Sequence, residues 1–97
     1  MKGTEKQIAW AEDIQKKTVS ALNWGIATFA SKAAFVEKCQ QIKAAVESVE
    51  YAGDLIAVYR NVNDSSDEKN MKMISAIVGN RFEICYDNPA QYALIGK

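Results

Sequence analysis

Five apolar residues of this 97-residue chain, Phe35, Cys39, Ile42, Val46 and Val49, recur at spacings of four, three, four and three. That interval is the seam along which one helix lies against another, and it predicts a helix over about residues 32–50. Lys38, Gln41, Lys43 and Glu47 fall on its opposite face. A seam needs a second helix to cover it. The covering helix comes either from the same molecule, which is the simpler reading, or from a second copy. The Phe35–Val49 helix is therefore also the surface a homodimer would use.

The start of the chain offers the matching face. Thr4 and Gln7 have the form of a capping box, in which hydroxyl and amide satisfy backbone N–H groups at a helix start. Ile8, Ala11, Ile14, Thr18 and Leu22 then share one side, with Trp10 at its border, and Glu12 precedes Lys16 as an i,i+4 pair. The expected first helix covers residues 5–22. Asn23-Trp24-Gly25 reads as its break, because Asn and Gly tolerate left-handed backbone, and Ser31 as the cap of the next helix.

Beyond Gly53 the helical phase continues through Ala52, Ile56 and Tyr59, so a helix restarted near Gly53 is expected. The β-branched content of residues 55–60 leaves a short strand as the alternative. Asn61 to Glu68 is a polar loop, Ser65 and Glu68 form a second capping box, and Met71, Ile74, Ile77 and Val78 share a helix face that Gly79-Asn80 should end. Phe82, Ile84 and Tyr86 alternate with Glu83 and Cys85 at the period of a strand. Asn88-Pro89 starts either a turn into a second strand (Tyr92 to Ile95) or a last helical turn. The expected fold is mainly α in a single domain, a helical hairpin plus two further helical segments, with a small C-terminal β element left open.

Composition narrows the function. Apolar residues at 48% and charged residues at 25% are those of an ordinary globular chain. Twelve basic residues balance twelve acidic ones, so no net field draws the chain to nucleic acid. Cys39 and Cys85 lie outside any C-x-x-C pattern and read as buried thiols of a reducing compartment. No apolar run follows Met1, and Ala21 to Val36 is broken by Asn23, Ser31 and Lys32, so neither a leader nor a membrane span is expected. The expected location is the cytoplasm.

Histidine is absent, which removes the commonest general base and metal ligand. Nothing near Cys85 in sequence would lower its pKa. The paired acids Glu12-Asp13 and Asp67-Glu68 read as helix surface and first-turn charge rather than a catalytic dyad. Asn61 to Glu68 has the oxygen density of a calcium loop but lacks its spaced acids and turn glycine. The five glycines are scattered singly and form no phosphate cradle. No catalytic residue, cofactor or metal is expected, and the chain does not read as an enzyme.

Binding remains. Exposed aromatic and arginine residues carry most interface energy. The candidates for contact with a protein partner are Tyr51, Tyr59, Arg60, Arg81, Phe82, Tyr86 and Tyr92. A nucleic-acid alternative rests on Lys6, Lys16 and Lys17, with Trp10 or Trp24 to stack on a base, although two tryptophans in so small a chain serve more simply as core anchors. A third reading is a sponge for a small ligand held between helices or at a dimer interface.

The stretch Gly3-Thr4-Glu5-Lys6-Gln7-Ile8-Ala9-Trp10-Ala11-Glu12-Asp13-Ile14 resembles a short module that begins uncharacterised proteins of bacteria, phages and mobile elements. Ala52 to Arg60 stands where that module carries a later aromatic-rich segment, but without its tryptophans. The resemblance implies no activity and no catalytic residues. It implies a context in which small proteins act by occupying a surface of a host protein, defence components included. The expected function is thus a non-catalytic interaction protein, an inhibitor encoded by a phage or mobile element being the specific form.

Overall fold

Thr4 opens the first helix as its side chain dictates. Its hydroxyl accepts from the Gln7 backbone N–H at 3.2 Å, while the Gln7 side-chain oxygen accepts from the Thr4 N–H at 3.1 Å. The computed structural model describes residues 1–81, and among them the fold is mainly α: α1 (Glu5–Thr28), α2 (Ala33–Glu47), α3 (Ala52–Tyr59) and α4 (Asp67–Arg81). The C-terminal strand or helical turn expected beyond Arg81 lies outside the described residues.

Helix α1 has 24 residues and is about 36 Å long at 1.5 Å per residue. It does not stop at Asn23-Trp24-Gly25 as expected. Gly25 is buried, and a Cβ there would stand 2.9 Å from Met71 Sδ and 3.4 Å from Phe35 Cε1. The glycine is a site of close helix contact rather than a break. Ala11, Ile14, Thr18, Ala21, Leu22 and Gly25 form the buried stripe of α1, and each of the other three helices packs on this helix.

The expected seam of α2 meets that stripe inside one molecule. Cys39, Ile42 and Val46 are buried, with Phe35 and Val49 partly buried against the same core. Cys39, Ile42 and Val46 are thus covered by the chain's own core. The helix is shorter than the expected 32–50: it begins after Lys32, Ser31 does not cap it, and it ends at Glu47. Gln15 Nε2 donates to the Val46 carbonyl at 2.9 Å and ties the middle of α1 to the end of α2.

An arm at the N-terminus holds the α2–α3 link. The Lys2 N–H donates to Glu50 O at 2.7 Å and the Ala52 N–H to Lys2 O at 2.8 Å, a parallel bridge of one residue pair. Gly3 makes this approach at φ 151°, where a Cβ would lie 3.2 Å from the Ala52 Cβ. Residues 52–59 are helix, so the strand alternative is excluded, and Ala52, Leu55, Val58 and Tyr59 are buried.

The polar loop before α4 spends its oxygens on itself. Asp64 Oδ1 accepts from the Ser66 N–H at 2.8 Å, an Asx turn. The buried Asn70 side chain both accepts from the Asp64 N–H and donates to the Asp64 carbonyl. Ser66, not Ser65, caps α4, its hydroxyl accepting from the Lys69 N–H at 3.4 Å, and Glu68 instead pairs with Lys72 at 3.8 Å. The expected stop at Gly79-Asn80 does not occur, because α4 continues to Arg81.

Two stability effects follow. Gly3→Ala should lower stability by about 1–3 kcal/mol, since the new Cβ meets both a positive φ and Ala52. Thr18 is fully buried and its hydroxyl has no hydrogen-bond partner. Thr18→Val should therefore raise stability by about 1 kcal/mol. Urea unfolding of both variants checks the pair, and a destabilised Thr18→Val would show that the hydroxyl is in fact satisfied.

Candidate functional site

The C-terminal half of α1 and the first half of α2 bring three aromatic rings together. Trp24 and Phe29 meet edge to face at 6.1 Å between centroids, and Phe29 and Phe35 do so at 5.2 Å. Edge-to-face pairs of this geometry fix one another's orientation. Against them lies Met71 of α4, admitted by the bare backbone of Gly25. These four side chains, with Glu68, Lys72 and Ser75, line an open cavity of about 330 Å³. A second cavity of about 230 Å³ continues past Cys39, Ile42, Ile74 and Val78 and shares Phe35, Met71 and Ser75 with the first. The two together make a groove between α2 and α4, whose backbones scarcely approach each other because both lean on α1.

The groove is apolar at its base and charged at its rim. Glu68 and Lys72 face each other at 3.8 Å, well exposed, so their pairing contributes little to stability. Lys32, which lines neither cavity, lies 5.5 Å from the Phe29 ring centroid in a cation–π contact. Lys38 lines the second cavity. Cys39 is buried in its wall, and burial raises the thiol pKa, which keeps the sulfur neutral and unreactive.

Of the residues expected to meet a partner, Tyr51, Tyr59 and Arg60 do not line this groove. Tyr51 is half exposed at the start of α3, beside Lys2. Arg60 is exposed at the opposite end of that helix. Tyr59 is fully buried, which removes it as a contact, because the inner face of α3 carries it into the core. Arg81 ends α4, and Phe82, Tyr86 and Tyr92 lie outside the described residues.

The lysines of the nucleic-acid reading do not form a basic strip. Lys17 pairs with Asp13 at 3.1 Å and reaches Asn63 O at 3.5 Å. Lys16 and Lys17 share a polar depression with Asp13, Asp64 and Asp67, so acids outnumber bases there. Lys6 is exposed farther up α1. Trp10 is 51% exposed rather than a core anchor, whereas Trp24 is partly buried. Among the described residues no three His, Cys, Asp or Glu side chains are placed to hold a metal ion. No helix among them is long and apolar enough to cross a membrane.

Sequence reasoning missed the groove. The available signal was the crowding of Trp24, Phe29 and Phe35 around one helix–helix turn, where periodicity explains only Phe35.

Because the Cys39 thiol is favoured in its neutral form when folded, its contribution to stability is complete below the ordinary value of 9.0 and declines as pH rises beyond it. Alkylation of Cys39 in the native protein at pH 8 should accordingly be far slower than in urea; equal rates in the two would show the groove wall to be open to solvent. The chain matches no protein-family model, no curated protein and no solved structure.

Proposed function

We propose that the chain is a non-catalytic interaction protein that receives an apolar segment of a protein partner in the groove between α2 and α4. The observation that carries this reading is the groove itself. An open, apolar trough floored by Trp24, Phe29, Phe35 and Met71 is built into a small helical domain. Covering one large apolar side chain there yields about 1.5–3 kcal/mol, and aromatic residues in such a position are typical hot spots. The trough extends along two helices and lies open at the surface, which suits a peptide or helix better than an enclosed small ligand. The narrower reading, an inhibitor of a host defence protein encoded by a phage or mobile element, rests on the resemblance of residues 3–14.

Ser75 is exposed and lines both cavities, so Ser75→Arg fills the trough without disturbing the core. In a pull-down from cognate lysate, this variant should retain the partner at least about tenfold more weakly, equivalent to 1.4 kcal/mol, with an unchanged melting curve. Retention equal to that of the parent protein would sink the groove as the binding site. A nuclease-treated arm separates the alternative: retention that disappears with nuclease, and on neutralising Lys16 and Lys17, would favour the nucleic-acid reading.

A further inference from the structure

The groove between α2 and α4 runs beside a stretch of the chain that has an apolar face of its own. Phe82 follows directly on Arg81, the last residue of α4. Val78, one turn before Arg81, already lines the second cavity, so the chain leaves α4 next to the groove. The residues that come next carry apolar side chains two apart, Phe82, Ile84 and Tyr86, with Glu83, Cys85 and Asp87 between them. In an extended segment those three fall on one face, about 7 Å from one to the next. Burying such a face is favourable in proportion to the apolar area removed from water.

The lengths agree. Met71 stands ten residues before Arg81, a rise of about 15 Å along the helix. An extended chain that turns back along α4 covers that distance in about five residues. Ile84 and Tyr86 therefore come within reach of both cavities, which are contiguous through Phe35, Met71 and Ser75. The tether favours this occupant over others. A segment joined to the groove's own wall acts at an effective concentration in the millimolar range, an advantage that a free occupant of equal affinity lacks.

We infer that the groove is occupied in the free protein by the chain's own residues 82–87, with Ile84 and Tyr86 as the anchors, and that this contact regulates the site. The regulatory half rests on the reading of the groove as a partner's site: the partner enters by displacing the segment. Its affinity is then reduced by the fraction of molecules in which the segment is out. A segment that is in place in about nine molecules of ten weakens a competitor about tenfold. At a millimolar effective concentration, the same segment added as a free peptide binds an emptied groove with a Kd on the order of 0.1 mM. A contact this weak opens before the helices melt, so the melting curve belongs to the helical core.

The test uses the full chain, with a synthetic peptide of residues 82–95 as the probe. In the free chain, NMR should show cross-relaxation between the Met71 methyl and the Ile84 and Tyr86 side chains. The cross-peaks should persist when labelled chains are diluted with unlabelled ones. Their absence would overturn the inference. So would cross-peaks seen only between labelled and unlabelled chains, which would put a second copy's segment in the groove. Ile84→Asp combined with Tyr86→Asp should shift the Trp24 indole and Met71 methyl signals and leave the melting curve in place. This variant should bind the added peptide about tenfold more tightly than the parent chain does. Equal binding to the two would overturn the inference and leave the groove open to a partner. Binding to neither would overturn it as well, and the Ser75→Arg pull-down would still decide the partner reading separately.

Discussion

The structure hangs on the buried stripe of α1. Ala11, Ile14, Thr18, Ala21, Leu22 and Gly25 follow one another down a single face, and α2, α3 and α4 all pack on that helix. The small members of the stripe set the distances. Ala11, Ala21 and Gly25 let neighbouring helices come close, and Gly25 lets the Met71 sulfur nearly touch the backbone. A domain built on one central helix has a geometric consequence: elements that share a support need not touch each other. The groove between α2 and α4 is that consequence, and its floor is made of side chains that lean on α1 without filling the space beyond it.

Polar contacts position what the stripe brings together. Gln15 fastens α2 through the Val46 carbonyl, and Ser20 donates to Asp67 Oδ1 at 2.8 Å at the start of α4. Asp64 and Asn70 close the loop between α3 and α4 on itself. The N-terminal arm does the same for the α2–α3 link, with Gly3 supplying the backbone conformation and Lys2 the bridge. In this light the opening Gly3-Thr4-x-x-Gln7 has a structural account: glycine for the close approach to Ala52, then a capping box for the helix that carries everything else. Trp10 has no such account, as it is half exposed.

Charge is distributed by place rather than by total. The neutral sum conceals an apolar groove rimmed by the Glu68–Lys72 pair and a mixed depression, richer in acids, around Lys16 and Lys17. The first is apolar beneath. In the second, Asp13 neutralises Lys17 before a phosphate could. Net charge governs long-range attraction, whereas the arrangement within a Debye length governs what a surface accepts at contact.

Local sequence determined the helices where period and capping chemistry act within a few residues. The capping box at Thr4, the α1 face from Ile8 to Leu22, and the Cys39–Ile42–Val46 seam were all legible, because helical periodicity and hydrogen bonding to adjacent N–H groups need no distant partner. Tertiary structure decided what depended on contact across the chain. Gly25 reads as a break in isolation but becomes a packing site once Met71 and Phe35 arrive. Tyr59 reads as an exposed anchor until α3 turns it inward. Residues 55–59 take helix over strand where α3 lies against α1. The groove belongs to this second class: its lining comes from three helices, and no local pattern specifies how far apart a shared support will hold two of them.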